Sequence, residues 1–362
     1  MKRRNFLKAS ATGLAASVMA APAIAQTAPA IRWRMQTAWP RALDTVHGSA
    51  EALAKRVQSL TDGKFEIRVF AAPEIVPPPQ IFDAVQNQTI EAGHVLSTFY
   101  IGKKMAYAFD AGVPFGLNLR QQHAWLFHGG GLAAMREVFA KAGLIQFAAG
   151  NVGVQMGGFY RKEIKTVEDL QGLKFRIGGF GGVVMRKLGV VPTQIATADI
   201  YPSLERGTID AAEWIGPYDD EKLGLHKVAK FYYYPGWWEG SAQITILLNL
   251  AKWNELPPAY KEAFEMACHE QNVVLIAKYD ALNPAALKRL IAQGVQLKQF
   301  PRAVLDACYK ATMETLDEQA KADADFKKIH DSWKVFLDES NSWFRVAEAS
   351  LDNYRYAAGR RR

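Results

Sequence analysis

Cysteine is nearly absent from this 362-residue sequence, which holds only Cys268 and Cys308. They lie in helix-like surroundings without C-x-x-C spacing, so a redox dithiol and a cysteine-rich metal site are excluded; two small core residues or one disulfide remain. Beyond the N-terminal stretch, no run reaches the roughly 18 uninterrupted apolar residues that a membrane span needs. No G-x-G-x-x-G opens a helix, no G-x-x-x-x-G-K-[ST] loop occurs, and no G-x-S-x-G elbow presents a serine. The usual markers of dinucleotide, phosphate-loop and serine-hydrolase chemistry are therefore missing. Seven histidines (His47, His94, His123, His128, His226, His269 and His330) include no H-E-x-x-H. His123 and His128, five apart, do not share a helix face, so each histidine is expected at the surface or at a helix cap.

What is present suffices for a large core: 49% hydrophobic and 11% aromatic residues, with 22% charged. A chain of this length divides such a core between two lobes. Half of the formal net charge of +8 comes from Lys2, Arg3, Arg4 and Lys8, and Arg360, Arg361 and Arg362 supply most of the rest. A nucleic-acid footprint gathers its cations on one face rather than at two chain ends, so no nucleic-acid partner is expected.

Residues 1–25 read as an export signal: a basic start, the small apolar run Ala15 to Ala21, and an Ala23-Ile24-Ala25 cleavage triplet. Arg3-Arg4-Asn5-Phe6-Leu7-Lys8 matches the twin-arginine core R-R-x-F-L-K. The expected mature chain starts near Gln26, crosses the inner membrane already folded, and works in the periplasm.

Past the signal, strand and helix alternate. Ile31–Trp39 and Phe65–Phe70 alternate as strands around a helix over Leu43–Leu60, and Pro77-Pro78-Pro79 opens a short helix before a strand at Ala92–Thr98. A helix over Ala124–Lys141 and a strand over Leu144–Val152 follow. This alternation predicts an α/β sheet. The stretch Val85–Gly93 is echoed by Leu204–Ala212, each a short helix turning through Thr-Ile-acid-Ala into a strand. The echo places Ser97-Thr98 and Glu213-Trp214 at the ends of equivalent strands, where ligands of open α/β sheets bind. From Pro257 the sequence is almost wholly helical, with a long amphipathic stretch from Ala303 to Tyr356.

The chemistry concentrates between Gly150 and Gly240. Strand-like Leu173–Ile177 carries Arg176 up to Gly178-Gly179-Phe180-Gly181-Gly182 and a helix over Val183–Leu188. That order suits a carboxylate, met by a guanidinium fork and free N–H groups, or else a surface arginine beside a tight turn. Asp199 is expected to cap a short helix that Gly207 ends. Glu213-Trp214 follows the next strand, and Glu239 stands alone in the aromatic run Tyr232–Trp238. A lone glutamate among tryptophans needs a cation, a proton or an exposed position. Glu213 and Glu239 together fit one hard cation, or are two unrelated surface acids.

Five spaced motifs now come together: Gln155-Met156-Gly157-Gly158 after Gly150-Asn151, Lys174 to Phe180, Asp199 to Pro202, Glu213 to Asp220, and Tyr234 to Gly240. In order they resemble the periplasmic solute receptors of tripartite ATP-independent (TRAP) transporters, and more narrowly the branch binding 2-oxo or 2-hydroxy monocarboxylates such as pyruvate or lactate. The resemblance spans the whole mature chain. It implies an α/β, two-lobe periplasmic-binding-protein fold of type II-like form with long C-terminal helices. Lobes are expected at 30–151 and 152–240, a returning segment at 241–300 and a helical extension at 301–362. It also implies that Arg176 holds the substrate carboxylate, that Gln155 and Trp214 contact the substrate, and that Glu213, Trp214 and Glu239 hold a metal ion. Sodium is expected there, with calcium as the alternative. The implied partners are TRAP membrane subunits and a second copy of the chain, and no catalysis is implied. Two other readings stay open at this level: a periplasmic enzyme on a small carboxylic acid, and a ligand-responsive sensor partner.

Overall fold

The computed structural model of the chain describes residues 29–359, so the export signal expected over 1–25 lies outside the described residues, as do Arg360–Arg362. Strand β1 (Ile31–Thr37) and β2 (Phe65–Phe70) flank the helix Val46–Leu60, which buries Val46, Ala50, Leu53, Ala54 and Val57. The helical spacing of these apolar positions fixes that inner face. With β3 (Ala92–Val95), β4 (Leu144–Asn151) and a later strand β10 (Gln243–Asn249) they build a five-stranded sheet ordered β2-β1-β3-β10-β4. Here β1 runs parallel to β2 and β3, while β10 is antiparallel to both its neighbours.

A second sheet holds β5 (Phe159–Tyr160), β6 (Lys174–Arg176), β7 (Val191–Thr193), β8 (Ala211–Ala212), β9 (Phe231–Tyr234) and β11 (Gln296–Gln299), ordered β11-β9-β5-β8-β6-β7. The chain thus leaves the first sheet after β4, builds β5 to β9, and returns as β10. It leaves again through the 35-residue helix Pro258–Ala292, about 50 Å long at 1.5 Å per residue, to reach β11. The two passages at β4 and β10 are stitched by buried amides. Asn151 Nδ2 donates to Ser241 Oγ (2.8 Å) and Gln243 Oε1 (3.1 Å), while Asn272 of the long helix donates to the Ala148 carbonyl and accepts from Gly150 N–H. Every polar group at this crossing would otherwise be orphaned in the core.

Several sequence expectations are corrected. The helix expected over Ala124–Lys141 is two, Leu119–His128 and Gly131–Ala140, because Gly130 takes a left-handed φ of 83° between them. The strand ending at Thr98 stops at Val95, and a 3-10 turn follows over Ser97–Tyr100. Asp199 is not a cap: the helix Thr197–Arg206 starts two residues earlier from Ala196, and Asp199 sits in its first turn, where an acid still suits the helix dipole. The amphipathic stretch Ala303–Tyr356 forms long C-terminal helices as expected, three of them, Arg302–Ala322, Ala324–Val346 and Glu348–Gly359. Asp323 breaks the first pair, its carboxylate capping the N–H groups of Asp325 and Phe326. The first two helices bury Val304, Cys308, Leu316, Phe326, Ile329 and Trp333, and the third buries nothing. His47, His94 and His330, expected at surface or cap, are buried, His94 inside β3 against Thr37 and Ser49 hydroxyls. Cys268 and Cys308 are free and buried, as small core residues.

Candidate functional site

Strands β6 and β8 are parallel neighbours with Arg176 opposite Ala212, so both end at one edge. The next residue, Glu213, donates its N–H to the Arg176 carbonyl and stands beside the arginine side chain. Arg176 Nη1 donates to Glu213 Oε1 (2.5 Å) and to the Glu213 carbonyl (2.7 Å), with both side chains nearly solvent-free. The guanidinium lies 5.0 Å from the Trp214 ring centroid, a cation–π contact. Its Nε finds no partner.

Directly after β6, Gly178 caps the helix Gly179–Lys187, so the glycines form the helix's first turn and not a loop before it. Gly179 has φ of 58°, and a Cβ there would meet Thr98 Oγ1 at 2.2 Å. Only glycine lets this helix N-terminus approach the turn that follows β3. The two passages between the sheets supply the remaining walls. Gln155 N–H donates to the Glu239 carbonyl and Gly236 N–H to the Gln155 carbonyl, which sets Gln155 beside Glu239.

One cavity of about 30 Å³, room for two or three water-sized groups, results. Gln155, Arg176, Glu213, Trp214 and Glu239, all five residues singled out in the sequence, line it. Trp39, Leu96, Thr98 and Phe99 face them from the ends of β1 and β3, and Trp238 closes a side. Of these, sequence reasoning reached only Thr98, through the internal echo. Trp39 had a readable signal too, an aromatic at the end of the first strand.

The electrostatics are unbalanced. Burial pushes the Glu213 carboxyl up to about 7 although Arg176 and the Gly178 N–H pull it down. Burial and the neighbouring Glu213 push Glu239 up to about 8, against the pull of Arg176. No side-chain hydrogen bond holds Glu239 among the described residues, and none takes the Trp214 carbonyl. Gln155 Oε1 and the indole N–H groups of Trp214 and Trp238 are also unpartnered. Once both carboxyls are ionised, one guanidinium leaves a deficit of one positive charge, and burial together with this cost keeps their protons on. Two carboxylates and an open carbonyl are the oxygen donors that a hard cation takes. Among the described residues no three of His, Cys, Asp and Glu gather as metal ligands, so a cation here would complete its shell with carbonyl and ligand oxygens.

Residues 35–323 match the family described as bacterial extracellular solute-binding protein, family 7. The chain is 48% identical over 360 residues, 98% of its own length and 99% of the relative's, to a monocarboxylate 2-oxoacid-binding periplasmic protein of Nostoc sp.. It is 58% identical to a TRAP transporter solute-binding protein of Bordetella bronchiseptica RB50, with a TM-score of 0.91 over 92% of this chain and 99% of that one. That structure is a mixed-occupancy dimer, with copurified calcium and picolinate in one site and the other empty. A TRAP periplasmic solute-binding protein of Pseudoalteromonas atlantica, with bound sodium and pyruvate, is 36% identical with a TM-score of 0.86 over 89% and 98% of the two chains. The fold is the one these receptors share, two sheets with long C-terminal helices, and this chain belongs to family 7 of the bacterial extracellular solute-binding proteins, the DctP family of TRAP transporter receptors.

Proposed function

We propose that this receptor captures a small 2-oxo or 2-hydroxy monocarboxylate, such as pyruvate or lactate, together with a metal ion and hands it to TRAP membrane subunits. The observation that carries the reading is that buried Arg176 and Glu213 and half-buried Glu239 line one cavity in which Arg176 Nε, Gln155 Oε1 and the indole N–H groups of Trp214 and Trp238 are left open. Arg176 holds the carboxylate, since its free Nε faces an anion better than any lysine could. Gln155 and Trp214 add polar contacts from their unpartnered side-chain atoms. Glu213, Glu239 and the Trp214 carbonyl hold the ion, which supplies the positive charge that two acids and an anionic ligand otherwise lack. With the acid bound, sodium leaves the trio at −1 and calcium leaves it neutral. Charge balance therefore favours calcium over the sodium expected first, as does the calcium in the 58% identical relative. The test is calorimetric titration of refolded, ligand-free protein with a panel of such acids: saturable binding with the acid recovered unchanged supports the reading, and consumption of the acid overturns it in favour of an enzyme.

The lobes correspond in this reading to residues 30–151 and 152–240. The returning segment 241–300 adds β10 to the first sheet and β11 to the second, and 301–362 is the extension. Trp343, Val346, Leu351, Tyr354 and Tyr356 expose apolar surface on the last two helices, which supports a homodimer formed there. Deleting residues 348–362 should give a monomer by sedimentation. Export by the twin-arginine route rests on Arg3-Arg4, and changing both to lysine should leave the protein in the cytoplasm.

A further inference from the structure

Trp39 is the largest side chain that the first sheet lends to the wall of the inner cavity. It is buried although it lies two residues past the last ladder position of β1. Its backbone is held from the side instead: its N–H donates to the Thr37 hydroxyl (3.4 Å), and its carbonyl accepts from the Ala72 N–H (3.1 Å). The Thr37 hydroxyl meets Nδ1 of His94 (3.2 Å), its register partner on β3. His94 Nε2 meets the Ser49 hydroxyl (3.4 Å) in the helix Val46–Leu60. The imidazole also packs edge to face on the Trp39 indole, with ring centroids 5.1 Å apart at 72°.

The protons in this chain can be counted. Burial, with His47 nearby, pushes the His94 pKa down to about 3, so the ring is neutral and carries one N–H. Ser49 Oγ gives its own proton to the Val46 carbonyl (2.8 Å), which leaves its oxygen to accept, so the ring proton sits on Nε2. Nδ1 is then a bare lone pair that accepts from Thr37, whose oxygen in turn accepts from Trp39. Every link points the same way, from Trp39 through Thr37, His94 and Ser49 to Val46. Both ring nitrogens are spent, and His94 is no part of the cavity wall, so it reaches a ligand only through Trp39.

We propose that His94 is a positioning residue for ligand capture, fixing the Trp39 indole as a wall for the bound acid through the Thr37 hydroxyl and the edge of its own ring; this rests on the carboxylate-clamp reading above. A wall fixed in advance needs no ordering when the acid arrives, whereas a released indole would be ordered anew at each binding event and weaken affinity.

The experiment is a double-mutant cycle on the calcium-loaded receptor, read by calorimetry with pyruvate: Thr37→Val, Trp39→Phe and the two combined, with Thr37→Ser and His94→Leu beside them. Valine keeps the branched shape and removes the hydroxyl; serine restores it. Thr37→Val and His94→Leu should each weaken pyruvate by about fivefold or more, Thr37→Ser should stay within about twofold of the unchanged protein, and in the Trp39→Phe background Thr37→Val should add less than about twofold. If His94→Leu does not fold, the Thr37 pair carries the test. Thr37→Val at full affinity, or an equal loss in both backgrounds, overturns the role of His94, the second because it marks an effect on the fold at large. Near-UV circular dichroism of the acid-free proteins reads the same coupling without a ligand. The Trp39 band, taken as the difference made by Trp39→Phe, should collapse when Thr37 is valine, and a band that persists overturns the role. If the unchanged protein does not bind pyruvate, the clamp reading falls, and the dichroism band alone decides whether His94 positions Trp39.

Discussion

The motif from Glu213 to Asp220 carries three acids, and the fold treats them in two ways. Asp219 and Asp220, in the first turn of the helix Pro217–Lys222, are fully buried, yet every oxygen is spoken for. Asp219 accepts from the Thr45 hydroxyl (2.8 and 2.9 Å) and from Tyr279 (2.6 Å); Asp220 accepts from Tyr232 (2.7 Å) and the Ile215 N–H (3.2 Å). Glu213 has Arg176 as its one cation, and nearby Glu239 has no side-chain hydrogen bond at all. Burial raises Asp220 to about 7, the same as Glu213, so a displaced pKa does not separate the two regions. Satisfaction does: a closed network of hydroxyls fixes tertiary structure, whereas open atoms around an uncompensated charge await a ligand.

The strongest way to break this contrast is Arg176→Ala. Losing the two charged hydrogen bonds to the acid's carboxylate costs about 1.5–3 kcal/mol each, so acid affinity should fall more than a hundredfold, and Arg176→Lys should recover little of it. Asp219→Asn, by contrast, should bind normally; a titration in which the two variants behave alike removes the distinction. Next in size is the ion. Exhaustive chelation in sodium-free buffer, or Glu239→Gln, should weaken acid binding at least tenfold, with calcium restoring more than sodium when added back singly. Undiminished binding by the metal-free protein would reduce Glu213 and Glu239 to incidental acids.

Tyr232→Phe tests the other side. It strips Asp220 of its hydroxyl donor and should lower stability by about 1–3 kcal/mol, read by urea denaturation, with acid affinity changed less than twofold. The smallest effect belongs to Asp110, a third satisfied acid that accepts from Thr245 (2.5 Å) and Gln146 (2.8 Å). Burial raises its carboxyl from 3.8 to about 6. The folded state therefore holds the proton more tightly than the unfolded chain, and stability present below pH 3.8 is lost as pH rises through 6. Urea midpoints from pH 4 to 7 should fall less steeply in Asp110→Asn, by at most about 1.4 kcal/mol per pH unit. Parallel profiles for the two proteins would remove Asp110 from the account.

The cavity's second-sheet half was legible because its signals are local. Arg176 before a glycine run, and Glu213-Trp214 after a strand, are neighbours in sequence and stay neighbours at the ends of β6 and β8. The opposite half was mostly hidden. Trp39, Phe99 and the proline run meet Arg176 only through tertiary packing, across separations of 77 residues and more that no periodicity records. The break at Gly129-Gly130 and the cap at Asp323 were present as residues but were outweighed by the amphipathic pattern running through them. The buried histidines were misplaced for a related reason: His94 occupies a strand whose partners on both sides come from distant segments.

Three of the nine tryptophans, Trp39, Trp214 and Trp238, wall the inner cavity. The indole N–H groups of Trp214 and Trp238 have no hydrogen-bond acceptor. An anion and a cation entering that space would change the field across three indoles at once, while Trp343 on the C-terminal helices is no part of the cavity wall. The protein therefore carries its own optical reporter. Its emission should move with occupancy, and a dye-free fluorescence titration can follow ligand, ion and variant on a single intrinsic signal.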